Sequence, residues 1–117
     1  MQMLIFVLNN IDLLEDVLSE LNKEGIHGAT VIDSTGMGRV LYNSNNENVP
    51  LFGSLKMILN NHRPFNKTIF TVLKDNEVKT AINAIKNIVG DLSQPDAGIL
   101  FSLPVNFVEG ITTSDSE

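Results

Sequence analysis

The sequence contains no cysteine, no tryptophan and a single tyrosine in 117 residues. Without cysteine there is no disulfide, no thiolate nucleophile and no cysteine-ligated zinc. Histidine is scarce as well: His27 and His62 stand alone, with no carboxylates at the spacing of a zinc motif, so no metal site is expected. Long apolar runs are also missing. Met1 to Leu8 is apolar but too short to span a bilayer, and it lacks the basic flank and cleavage site of a secretory signal. The chain therefore reads as cytoplasmic, with no membrane insertion. No Walker loop and no serine in a nucleophile elbow is present. Asp12, Glu15 and Asp16 suit the start of a helix better than acid–base catalysis, so an enzyme is not expected.

What is present suits one globular domain, residues 1–117. A chain of this length buries roughly two-thirds of its unfolded surface, and 43% hydrophobic against 19% charged residues argues against disorder. The formal charge of −6 disfavours nucleic acid, where Lys and Arg must neutralise phosphate. The charge is uneven. Six of the eight cations fall between Lys56 and Lys86, opposed there only by Asp75 and Glu77, a pattern that solvated faces of a helix and a strand explain.

Met3 to Leu8 is a continuous apolar run, the pattern of a central strand. Asp12 followed by Glu15 has the form of a capping box. Leu14, Val17, Leu18 and Leu21 then recur at helical spacing, and Gly25 is placed to close that helix. Ala29 to Asp33 is a second strand, β-branched at its centre. It empties into Gly36-Met37-Gly38-Arg39, read either as a plain turn or as a flexible loop whose amides face an anion beside the Arg39 charge. Met37 suits packing or contact with a flat ligand base. Residues 40 to 49 are asparagine-rich without a period. Pro50 to Asn60 suits a short helix with Leu51, Leu55 and Ile58 on one side. Lys67 to Leu73 returns to strand composition. A second amphipathic helix, capped by Asp75 or Asn76, keeps Val78, Ala81, Ile82, Ile85, Ile88 and Val89 on one face. Gly98 to Leu103 is a last strand, interrupted at Pro104, and residues 112 to 117 should fray.

Two β-α-β units in this order predict an α+β, ferredoxin-like βαββαβ domain: an antiparallel sheet with two helices on one face and a long loop with a short helix between strands two and three. Such a sheet leaves one face bare. Strands one and four are apolar on both sides, so a homo-oligomer packing sheet against sheet is expected to cover it.

The second strand and its exit resemble the PII nitrogen-signalling proteins, whose pattern is Gly-x-Thr-Val followed by Gly-Phe-Gly-Arg. Here Gly28-Ala29-Thr30-Val31 and Gly36-Met37-Gly38-Arg39 keep the same spacing, and residues 97 to 105, Ala-Gly-Ile-Leu-Phe-Ser-Leu-Pro-Val, are similar to the end of that family's domain. The resemblance covers nearly the whole chain outside residues 40 to 66. It implies a homotrimer that binds an adenine nucleotide in clefts between subunits and regulates a transporter, enzyme or regulator through its long loop, residues 40 to 66. By position, Thr30, Gly36, Met37 and Gly38 would line the cleft, Arg39 would face a phosphate, and Gly98 would stand at the opposite rim. There are departures. The family's glutamine after Gly-x-Gly-Arg is Val40, which cannot ligate magnesium, so oxoglutarate sensing is not expected. Its lysine after the last glycine is Ile99, and two arginines near its C-terminus correspond to Gly110 and Thr112, so ATP binding of the usual kind is not implied either. The ligand stays open. The rival reading is a trimeric interaction module that binds no nucleotide and docks on a partner through Leu51, Leu55 and Ile58.

Overall fold

The computed structural model describes residues 1–38, 40–41, 66–94 and 97–111. Arg39, Leu51, Leu55, Ile58, both His62 and Tyr42, most of the 40 to 66 segment and residues 112 to 117 therefore lie outside the described residues. Strand β1 (Gln2–Leu8) leads through a 3-10 turn (Ile11–Leu13) into helix α1 (Leu14–Lys23). Strands β2 (Ala29–Ser34) and β3 (Asn66–Leu73) follow, then a 3-10 turn (Asp75–Glu77), helix α2 (Val78–Val89) and strand β4 (Gly98–Pro104). The strands form an antiparallel sheet in the order β2-β3-β1-β4. This is the ferredoxin-like α+β arrangement expected from the order of elements. No described helix is long and apolar enough to cross a membrane.

The core follows from period-two alternation. Leu4, Phe6 and Leu8 of β1 and Ile69 and Leu73 of β3 are buried on one face, against Val17 and Leu21 of α1 and Ala81, Ala84 and Ile85 of α2. Fully burying an apolar side chain of this size contributes about 1.5–3 kcal/mol. α1 ends where expected: Ile26 N–H donates to Leu21 C=O at 3.0 Å and Gly25 N–H to Asn22 C=O at 3.1 Å, the paired bonds of a Schellman motif, with Ile26 buried beyond it.

The helix starts differ from the sequence reading. Asp12 does not cap α1; its N–H donates to Asn10 Oδ1 at 3.2 Å, because the 3-10 turn shifts the first free N–H groups back by a residue or two. Before α2, likewise, neither Asp75 nor Asn76 caps. The Glu77 carboxylate accepts from Lys74 N–H at 2.9 Å across the turn. β3 begins one residue early, at Asn66, and β4 runs on through Pro104, which an edge strand tolerates because its outer N–H side needs no partner. The glycine loop after β2 is a helical turn instead. Met37, Gly38, Val40 and Leu41 have helical backbone, and Val40 N–H donates to Gly36 C=O at 3.2 Å. Val40 is buried and anchors that turn.

Asn10→Ala is expected to lower the unfolding free energy by about 1 kcal/mol, and Asp12→Ala by less than about 0.5 kcal/mol. Urea denaturation of both variants checks where the cap sits.

Candidate functional site

The opposite face of the sheet carries the other half of the alternation. Register places Met3, Ile5 and Val7 of β1 between Thr68, Phe70 and Val72 of β3 and Ile99, Phe101 and Leu103 of β4, with Thr30 and Ile32 of β2 at the far edge. No described helix packs here. Ile99 is 62% exposed and Leu103 48%.

At one end of this face lies a groove of about 490 Å³. The loop between α1 and β2 supplies Ile26, His27 and Gly28, and the sheet supplies Thr30, Phe70 and Val72. Two hydrogen bonds fix the loop: Thr71 Oγ1 donates to Gly28 C=O at 3.2 Å, and His27 Nδ1 lies 2.6 Å from Asn22 Oδ1. Lys74 and Glu77 stand at the mouth with the Met1 ammonium, which is ion-paired to Asp75 at 3.1 Å. The lining thus joins apolar side chains from the sheet to the Thr30 and Thr71 hydroxyls and a mixed-charge rim.

The other end of the sheet holds the exit of β2. Asp33 and Lys67 face each other across the β2–β3 ladder as an ion pair. Ser34 donates its hydroxyl to the Asn66 amide oxygen and lies 2.8 Å from the Thr68 hydroxyl. Asn66 is buried, and a buried amide is tolerated only when bonded in this way. This polar clasp fixes where β2 gives way to the helical turn at Met37, whose side chain is 77% exposed.

The turn before β4 is built on Asp91. Its carboxylate accepts from Ser93 N–H at 2.9 Å, from the Ser93 hydroxyl at 2.8 Å and from the Gln94 amide at 3.5 Å. The Ser93 bonds, backbone first, hold the Asp91 carboxyl below its ordinary value.

Of the residues expected at a site, Thr30 lies in the groove, whereas Gly36, Met37, Gly38 and Gly98 do not. Gly98 pairs with Leu8, Leu8 with Lys67 and Lys67 with Asp33. Gly98 and the β2 exit therefore share one end of the sheet, roughly 14 Å apart across three strand spacings. Thr30 sits at the other end, about 13 Å along β2 from Ser34. One chain does not gather these residues around a common cavity. Sequence reasoning missed Ile26, His27, Phe70 and Val72; the alternation of Thr68, Phe70 and Val72 against the core residues Ile69 and Leu73 would have placed the last two on the bare face.

The glycines divide by cause. Gly98 has φ +123°, and a Cβ there would stand 2.3 Å from the Val7 carbonyl oxygen and 3.0 Å from the Phe6 ring, so only glycine lets β4 lie against β1. Gly36 and Gly38 are under no such constraint. A Cβ at Gly36 would meet Asn66 Nδ2 at an ordinary 3.8 Å, and one at Gly38 would meet nothing within 4 Å among the described residues. Packing explains Gly98 and leaves the other two unexplained. Among the described residues no group of three or more His, Asp and Glu side chains is placed to hold a metal.

Residues 1–115 match the family described as nitrogen regulatory protein P-II. No match is found among curated proteins. Among solved structures, the crystal structure of Arabidopsis thaliana PII bound to citrate is similar with a TM-score of 0.57 and 20% identity, over 89% of this chain and 73% of that one. At that identity the likeness concerns the fold.

Gly98→Ala is expected to lower stability by about 2–4 kcal/mol through overpacking and backbone strain, and Gly36→Ala to change it by less than about 0.5 kcal/mol, as read by chemical denaturation. For Asp91, carbon-detected NMR titration should give a midpoint below the free value of about 3.9. Because the folded value is lowered, the stabilisation is full above the free value and is lost as pH falls through the folded one.

Proposed function

Since the chain belongs to the nitrogen regulatory protein P-II family, we propose that it is a cytoplasmic homotrimeric regulator rather than a catalyst, taking a small ligand in clefts between subunits and acting on a protein partner through residues 40 to 66. The observation that carries this reading is the bare sheet face. An apolar surface built from Ile99, Phe101 and Leu103 beside Ile5 and Val7 is uncommon on a monomer, and sheet-to-sheet packing of identical copies removes it from water.

The separation of the candidate residues supports the same reading. The Thr30 groove and the row from Gly36 to Gly98 occupy opposite ends of one sheet, so a site that uses both needs a second copy. Gly36 and Gly38, which no described residue crowds, are then available for close approach of a ligand, with Arg39 as the cation that meets a phosphate or carboxylate. The Arabidopsis relative was crystallised with citrate; an adenine nucleotide is the ligand we favour for this chain. Ligand binding acts on the partner by favouring one conformation of the 40 to 66 segment, which requires different affinities for its two states. A transporter, enzyme or regulator docks through Leu51, Leu55 and Ile58.

Light scattering is expected to give a mass three times the 12.9 kDa of one chain, and Ile99→Asp with Phe101→Asp to return it to one. Calorimetry with ATP, ADP, AMP, cyclic dinucleotides, bicarbonate and citrate is expected to show saturable binding to at least one, weakened about tenfold or more in Arg39→Ala. A trimer silent to the whole panel would favour the nucleotide-independent interaction module instead.

A further inference from the structure

The chain does not stop at the edge of the sheet. After β4, Val105 N–H donates to the Met1 carbonyl at 3.1 Å, extending the β4–β1 ladder by one step. The next residues leave the sheet, with Phe107 78% exposed. Gly110 then takes φ +98°, and Gly110 and Ile111 arrive in the lining of the Thr30 groove, together with Phe70 and Val72. The tail has thus travelled from β4, on one edge of the sheet, past β1 to the groove beside β3 and β2.

We propose that residues 105–111 are a displaceable strap, by which the chain fills part of its own groove with Ile111 and so competes with any ligand that enters there. The strap is built to come off. Among the described residues it is held by one ladder bond at Val105 and by the partial burial of Val108 and Ile111, and the bend that delivers the isoleucine requires a positive φ that only glycine adopts without strain. Residues 105–111 form no ion pair with any described residue. A segment with so few contacts opens locally without unfolding the sheet. The ligand consequence rests on the reading that the groove is a half-site: apparent affinity is lowered by the fraction of time the strap is down. Ile111 meets the part of the groove lined by Phe70 and Val72, so an uncharged ligand with an apolar face is the competitor it resists most directly.

The absence of cysteine supplies the test. In full-length Val72→Cys the introduced thiol is the only one, and its rate with 5,5′-dithiobis(2-nitrobenzoate) reports access to the groove floor. Adding Ile111→Asp, or separately Gly110→Ala, is expected to raise that rate at least about fivefold. Ala84→Cys, buried in the core, is expected to stay unreactive in both backgrounds. Equal rates at position 72 with and without the tail substitutions, or a rise at position 84 to match, would overturn the strap. Adenosine calorimetry on the same chains reads the consequence separately. Tighter binding in Ile111→Asp supports competition, and weaker binding makes the tail a wall of the site and overturns it. If adenosine binds neither chain, the half-site reading fails while the thiol rates still decide the strap.

Discussion

Alternation along β1 and β3 sorts the sheet into two surfaces with different obligations, and everything else in the molecule answers to that division. Leu4, Phe6, Leu8, Ile69 and Leu73 go to the side that α1 and α2 cover. Met3, Ile5, Val7, Phe70 and Val72 go to the side that no described element covers. A one-residue slip would exchange the two sets, yet the second set is nearly as apolar as the first. Solvation alone therefore discriminates weakly between registers. What fixes register is shape: the Gly98 notch against Val7 at one edge, the Asp33–Lys67 pair and the Ser34–Asn66–Thr68 clasp at the other. Each of these fits in one alignment only.

The same division explains which parts of the fold could be read from the sequence. Strand and helix positions follow from apolar period, and β1, α1, β2, β3, α2 and β4 stand where Ile5, Leu21, Val31, Phe70, Ile85 and Leu100 pointed. The bare face was legible as well, because Ile5 and Val7 are apolar where a solvated strand would alternate. The caps were less so. Asp12 and Asn10 are both good capping residues two positions apart, and the choice between them turns on a 3-10 turn with no sequence period of its own. The helical turn at Met37 was hidden for a similar reason: two glycines weigh against a helix, and the anchor that overrides them is the burial of Val40, a tertiary effect.

The candidate site was legible in part. The resemblance groups Thr30 with the Gly36–Gly38 pair, but residues close in sequence and joined by an extended strand are far apart in space. The Thr30 groove takes one wall from the adjoining α1–β2 loop, but its other walls come from β3 and from the segment after β4, both far from Thr30 in sequence. Gly98 is a different case. The resemblance places it at the cleft rim, and the Val7 carbonyl 2.3 Å from its would-be Cβ is by itself a sufficient cause for glycine there.

That difference in cause bears on what the site can do. If Gly98 is fixed by the sheet, its presence carries no information about a ligand, and the proposed ligand site rests on Gly36, Gly38 and Arg39 at one end and on the Thr30 groove at the other. The two ends differ in chemistry. In the proposed reading the β2 exit, which Arg39 follows in sequence, takes the anionic part of a ligand, while the groove's Phe70 and Val72 offer apolar surface. A ligand that is planar at one end and anionic at the other meets both demands only where the exit of one copy adjoins the groove of the next. On the proposed trimer the bare face and the divided site make a single requirement: the apolar surface that packing of copies hides from water is also the one whose burial brings the two halves together.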